Sequence, residues 1–257
     1  MAKAKPAQAR VTASDKPPVL TADSFIRSLK AHQSDEELQK FTRFFRFEVG
    51  KQNRDDYFIG VRMGQIFELA REFIGMTPVE IEKLLESPIH EVRVGGCSIM
   101  DKQGRSKKTP ENRMKELYDL YMRRHDRINT WDLVDLAGPY VVGRYLFNKP
   151  REILYKLAVS KKMYERRTAI VGTGYFIRQR DTAETFAIAK ILVNDKDDLI
   201  HKATGWMLRA AGDHDPVTLM KFLDNHGATM PRVMLRYAIE HLDDGQRAHY
   251  LGLKNAR

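Results

Sequence analysis

From Leu20 to the C-terminus the apolar residues recur every three or four positions, the spacing of helices buried along one side, and hardly any stretch alternates as a strand would. This pattern predicts helices over 21–32, 35–49, 61–74, 78–86, 89–101, 111–126, 130–147, 150–160, 163–178, 181–193, 197–211, 215–225, 229–241 and 244–251, with Thr, Ser, Asp or Pro at many of the starts. The one long polar connection runs from Lys102 to Lys108, ahead of Thr109-Pro110. It reads as a mobile basic loop that either touches phosphates or is simply solvated.

The helices recur in pairs. Laid under one another, the segments HEVRVGG from His90, TWDLVDL from Thr130, YERRTAI from Tyr164, IHKATGW from Ile200 and MPRVMLR from Met230 share a phase, and four of the five carry a basic residue near the same place. Arg93, Asp132, Arg167, Lys202 and Arg232 are separated by 39, 35, 35 and 30 residues, a period that suits two-helix repeats. The expected fold is therefore all-α, a curved solenoid of HEAT/armadillo-like antiparallel helix pairs. Such arrays present one helix of each pair on a concave face, where a stripe of cations would follow a nucleic-acid backbone. Solvated helix starts carry the same charges, so a plain surface is the competing reading.

Charge favours a polyanionic partner. The chain has 44 Lys and Arg against 34 Asp and Glu, a formal net charge of +10, which attracts nucleic acid or an acidic membrane surface. Residues 1–19, rich in Ala, Lys and Pro, read as a disordered basic tail without the apolar core of a secretory signal, and residues 20–257 as a single domain. Apolar runs fall short of the ~20 residues that a membrane span needs. A lone cysteine, Cys97, excludes an intramolecular disulfide or a cysteine zinc site and reads as a small buried hydrophobe. The expected setting is the cytoplasm, with nucleoid association when DNA is bound, and the expected state is a monomer.

Other chemistry-bearing residues fit no cofactor or metal site. His90-Glu91 lacks a second histidine four residues on, and Asp213-His214-Asp215 diverge in direction at a turn before Pro216. Gly172 and Gly174 follow no strand, as a phosphate loop requires, and instead suit close helix packing.

The stretch INTWDLVDLAGP, from Ile128 to Pro139, puts two acids into the first turns of a helix in this basic chain. Val134, Ala137, Val141 and Tyr145 follow a buried stripe, whereas Trp131 and Asp135, four apart, share a neighbouring face. Asn129 or Thr130 can cap the helix and Asp132 can complement its dipole, which explains Asp132 better than Asp135. Gly138-Pro139 should bend the helix. A second tryptophan, Trp206, shares a face with Lys202 and Arg209, a surface suited to sugar and phosphate, although an indole in a repeat seam looks the same in sequence.

These residues resemble the AlkD-like DNA alkylation repair proteins, DNA glycosylases built from HEAT-like repeats. The likeness runs from about Ser24 to Leu251 and is best from Ile128 to Ala211. Its motif is Trp131-Asp132-Leu133-Val134-Asp135, an arginine near Arg167, and Gly205-Trp206-Met207-Leu208-Arg209. The resemblance implies that Asp135 is the catalytic carboxylate, Arg167 an essential contact beside it, and Trp131 and Trp206 aromatic walls against the deoxyribose. It also implies removal of N3- and N7-alkylated purines from double-stranded DNA, leaving an abasic site, with the damaged base largely stacked. Arg93, Lys202, Arg209 and Arg232 are the expected DNA-binding residues. The family's N-terminal aromatic contact has candidates in Phe41, Phe44, Phe45 and Tyr57. Where AlkD has a doubled aromatic before the acid, this chain has Thr130-Trp131. Some relatives bind DNA, including branched DNA, without excising anything; a non-catalytic scaffold for DNA or protein is the alternative.

Overall fold

The structure, a computed structural model, describes residues 19–44 and 56–253. The expected tail therefore lies, except for Val19, outside the described residues. The helices are α1 (Ala22–Lys30), α2 (Asp35–Phe44), α3 (Met63–Glu72), α4 (Pro78–Leu85), α5 (His90–Arg105), α6 (Glu111–Arg123) and α7 (Trp131–Ala137). Helix α7 runs on through a π-helical turn (Gly138–Gly143) and a last α-turn (Arg144–Leu146). Then follow α8 (Glu152–Ala158), α9 (Met163–Gly172), α10 (Gly174–Arg178), α11 (Ala183–Leu192), α12 (Asp198–Gly212), α13 (Pro216–His226), α14 (Arg232–Ala238) and α15 (Asp244–Gly252). Among the described residues no strand forms, and the single β-bridge joins Tyr57 to Ile89.

The boundaries follow local chemistry. Thr21, Thr77, Asp215 and Asp243 cap α1, α4, α13 and α15, each side chain accepting a backbone N–H of the first turn. Pro78 and Pro216 open α4 and α13, where a missing N–H costs no helix bond. Helix α5 continues to Arg105, so most of the expected basic loop is helical. The guanidinium of Arg144 holds that end of α5 by donating to the carbonyls of Gly104 and Ser106. The polar run is thus largely a helix end tied down from α7's extension, with only a short turn from Ser106 onward.

Helices α3, α5, α7, α9, α12 and α14 pack each against the next in one layer, and α4, α6, α8, α11 and α13 back them in a second. The architecture is the all-α solenoid of helix pairs. The apolar stripe of α7 lies where its spacing places it: Val134, Ala137 and Val141 are fully buried, and Tyr145 stacks on Tyr118 with ring centres 4.3 Å apart. Pro139 is accommodated by the π turn, in which the backbone widens instead of breaking. The tightest seam of the first layer lies beside it, since a Cβ on Gly143 would sit 2.1 Å from the Gly172 carbonyl oxygen. A Cβ on Gly172 or Gly174 would meet only ordinary contacts of 3.5 Å or more. The missing Cβ is therefore needed at Gly143, as at Gly104 and Gly205, whereas Gly172 contributes only its backbone to the contact and Gly174 takes no part in it.

Helix α5 is enclosed on nearly all sides. Glu91 Oε1 accepts the backbone N–H groups of Ile59, Gly60 and Val61 at 3.0, 2.8 and 3.4 Å, pinning the segment before α3 across the start of α5. Gly60 has a φ of 76°, in the left-handed region, and a Cβ there would also collide with the Ser34 carbonyl oxygen at 2.1 Å. Cys97 is buried in this helix, and burial pushes its thiol well above the usual range.

Candidate active site at the start of α7

Asp135 stands in the second turn of α7, and Arg167 reaches it from α9 with two parallel hydrogen bonds, Nε to Oδ1 at 2.9 Å and Nη2 to Oδ2 at 2.7 Å. Arg167 is buried, whereas the Asp135 side chain keeps 20% exposure. The remaining guanidinium nitrogen of Arg167 donates to the Leu199 carbonyl in the first turn of α12. One arginine thus ties three successive helices together and aims a carboxylate at solvent. Burial pushes the Asp135 carboxyl above its usual range; the Arg167 hydrogen bonds and charge oppose this without cancelling it, and the Asp132 charge adds to it.

The two tryptophans stand on the helices that this arginine joins. Trp131 precedes Asp135 by one turn on the same face of α7, and Trp206 lies two turns beyond Leu199 on α12. Both are half-buried and packed against the core along one side.

Asp132 has a different occupation. It is buried; its Oδ2 lies 2.7 Å from His90 Nε2 and its Oδ1 accepts the Thr130 hydroxyl at 2.6 Å. Burial raises its carboxyl, but the His90 charge and hydrogen bond, the Thr130 hydroxyl and the Leu133 N–H outweigh that, and the net shift is downward. Thr130 is the N-cap residue, yet its hydroxyl serves Asp132 and not a helix N–H, and Asn129 donates to Asp56 at 3.4 Å. His90 was not legible as a partner because it lies 42 residues upstream.

The expected DNA-binding residues divide. Arg93 is a correction: its side chain is fully buried, bound to Asp56 at 2.6 and 2.8 Å and to the Ser87 carbonyl at 3.0 Å. It is a strut beneath residues 56–61 and offers nothing to a phosphate. Lys202 and Arg209 reach the surface of α12 beside Trp206, paired with Asp198 (2.7 Å) and Glu240 respectively. Arg232 spends one nitrogen on the Leu251 carbonyl at 2.9 Å, tying α14 to α15.

Among the candidate N-terminal aromatics, Phe41, Phe44 and Phe45 lie outside the residues whose side chains are described. Tyr57 is half exposed and exchanges backbone bonds with Pro88 and His90, which places it beside the helix start that binds Asp132. Among the described residues no group of three or more His, Cys, Asp or Glu side chains could hold a metal ion, and no helix is long and apolar enough to cross a membrane.

The family model for DNA alkylation repair enzymes matches residues 25–242. A solved structure, a predicted DNA alkylation repair enzyme from Enterococcus faecalis, superposes with a TM-score of 0.65 at 12% identity, covering 83% of this chain and 98% of the other. At that identity the likeness speaks for the fold alone. No curated protein matches the chain. With the family model spanning nearly the whole solenoid, including the α7, α9 and α12 turns that build the carboxylate site, the chain belongs to the DNA alkylation repair enzyme family.

Proposed function

We propose that the protein is a DNA glycosylase that hydrolyses the N-glycosidic bond of positively charged N3- and N7-alkylated purines in duplex DNA, leaving an abasic site. The observation that carries this reading is the Asp135 carboxylate, gripped at two points by Arg167 and still open to solvent, with the half-buried Trp131 one turn before it on the same helix.

An alkylated purine is already a cationic leaving group. As its glycosidic bond breaks, the electron pair goes to the base and positive charge moves to the sugar. A fixed carboxylate stabilises that charge as it develops, just as oriented donors stabilise an oxyanion, with the sign reversed. Water then attacks C1′, and in this reading Asp135 accepts its proton. The faces of Trp131 and Trp206 add cation–π attraction and exclude bulk water. Arg167 keeps Asp135 aimed and lowers the cost of ionising it, while Lys202 and Arg209 exchange their surface carboxylates for phosphates. Selectivity then rests on the lability of the cationic leaving group, so the base need not leave the stack and bulky adducts are tolerated.

The test is release of free 7-methylguanine and 3-methyladenine from methylated duplex DNA by the wild type and by Asp135→Asn. Release by the wild type that the variant loses, with DNA binding retained, supports the glycosylase. No release of these bases or of a bulky N7 adduct, with salt-sensitive binding intact in both proteins, would leave a DNA-binding scaffold in its place.

A further inference from the structure

A second group of cations stands at the C-terminal ends of α3, α5 and α10. Arg71 lies in the last turn of α3, Lys102 and Arg105 in the last turns of α5, and Arg178 at the end of α10. Two aromatic rings seat three of them. Lys102 Nζ lies 5.7 Å from the centre of Phe67, and the guanidinium carbons of Arg105 and Arg178 lie 4.0 and 5.6 Å from the centre of the same Tyr140 ring, in the π turn after α7. Asp101 is the acid among them; its Oδ2 accepts from Arg105 Nε at 2.7 Å, and its Oδ1 is buried without a hydrogen-bond partner. Among the described residues neither Arg71 nor Arg178 makes an ion pair, and both are exposed.

Crowding of like charge registers in the titrating groups. Burial and the charge of Arg71 push the Lys102 ammonium below its usual range, with Arg105 adding to the effect and Asp101 opposing it. Burial raises Asp101 even though Arg105, Lys102 and Arg178 all favour its ionised form. Holding long cationic side chains together in fixed seats costs rotamer freedom and Coulomb energy, and a bound polyanion removes the second cost. Arg71 and Arg178 differ from the site-proximal cations Lys202 and Arg209, each of which has a carboxylate in contact.

We propose that Arg71, Lys102, Arg105 and Arg178 form a phosphate-binding ridge that grips the backbone of a nucleic-acid duplex. Packed helices stand about 8–10 Å apart, and one strand carries a charge every ~3.4 Å along the duplex axis. The ends of α3 and α5 are neighbours and that of α10 lies beyond the π turn after α7, so the cations are spread along a line that a chain of phosphates can follow and an isolated anion cannot span. Planar guanidinium groups seated on Tyr140 present paired N–H donors to phosphate oxygens. The ridge extends the reading of a DNA repair protein but requires nothing of Asp135, so it stands or falls separately from excision.

The test measures binding of undamaged, fluorescently labelled duplex over a range of salt concentrations, for the wild type, the Arg71→Gln/Arg178→Gln double variant and Lys156→Gln as control. Lys156 is exposed on α8, in the second layer. Each lost phosphate contact lowers the slope of log K against log salt by about 0.9, so the double variant should lose about 1.8 and the control nothing. An unchanged slope in the double variant overturns the ridge, as does an equal loss in the control. Equal loss of poly-glutamate and duplex binding also overturns it, because the surface would then be a general one for acidic chains. Binding of intact DNA is read throughout, so the result is independent of whether any base is released.

Discussion

Asp135 and Arg167 meet in a two-point ion pair, with oxygen and nitrogen atoms matched at 2.9 and 2.7 Å across 32 residues of sequence and between two adjacent helices. The arginine is the buried partner and the acid the solvent-facing one, so the pair is mounted to present a carboxylate. Replacing Arg167 by Lys keeps the charge but loses the fork and the tie to Leu199. Excision should fall by about 10–100-fold, the scale of a misoriented catalytic group, with a lower melting temperature. Single-turnover base release and a thermal melt check both; unaltered release would mean that aim does not matter.

The direction of the Asp135 shift sets a pH dependence. Its carboxyl titrates above the usual range in the folded protein, mainly through burial. The folded state therefore favours its protonated form: this group's stabilising contribution is fully present below its unfolded value and is lost as pH rises through the folded one. Asp135→Asn, which mimics the protonated form, should melt at or above the wild-type temperature at neutral pH, yet lose excision by at least about 100-fold. The wild-type rate should decline on acidification at a pH above that of an ordinary carboxylate. A rate that stays level through that window removes Asp135 as the required ionised group.

Helices were legible because each buries one face, and burial of one face writes itself into the spacing of neighbouring residues. Even the π turn had its signal in Gly138-Pro139, which read as a bend. Long-range charge pairing was not legible. Arg93 shares the repeat phase of Arg167, but its partner, Asp56, lies 37 residues upstream on a segment that covers it, and nothing local marks the difference. Arg105 lies in the polar run from Lys102 to Lys108 that suggests phosphate contact, but Arg71 and Arg178 carry no such mark: they sit at helix ends where cations are expected to serve the helix dipole, and only the fold brings the three together. At the site the fold brings Asp135 and Arg167 together, as their spacing could not show, while the His90 partner of Asp132 became visible only in three dimensions.

Removing one member of the His90–Asp132 pair should cost more than changing it gently. His90→Ala leaves a buried carboxylate without its neighbour, a loss of about 3–5 kcal/mol on the scale of broken buried pairs, whereas Asp132→Asn removes the charge and should cost less. Asp132 titrates below the usual range, so its contribution is present above the unfolded value and is lost as pH falls through the folded one. Urea denaturation at neutral and acidic pH should show the variants converging on the wild type as pH falls. A constant gap would mean that the pair stabilises by packing alone.

The first-layer seam can be tested with two glycines that sequence does not distinguish. Gly143→Ala sets a Cβ 2.1 Å from the backbone oxygen of Gly172, which cannot rotate away, so α7's extension and α9 must separate. The expected loss is about 1–3 kcal/mol, with excision reduced because Asp135 and Arg167 sit on the same two segments. Gly172→Ala meets nothing nearer than 3.8 Å and should gain up to about 1 kcal/mol from helix propensity. Equal destabilisation by the two substitutions would contradict the one-sided contact.

The indoles can be separated from general DNA affinity. Under the proposed chemistry Trp206 acts through the face it offers to a developing cation, a contribution of about 0.5–2 kcal/mol, which corresponds to a rate loss of roughly 2–30-fold. Trp206→Phe keeps an aromatic face and should lose little; Trp206→Ala should lose the full amount in single-turnover rate. Affinity for undamaged duplex should barely change, because Lys202 and Arg209 on the same face remain. Trp131→Phe and Trp131→Ala should follow the same order, since that indole stands one turn from Asp135 on the helix that carries it. Loss of duplex affinity in step with rate would instead assign the tryptophans to DNA binding and leave Asp135 to stabilise the sugar cation alone.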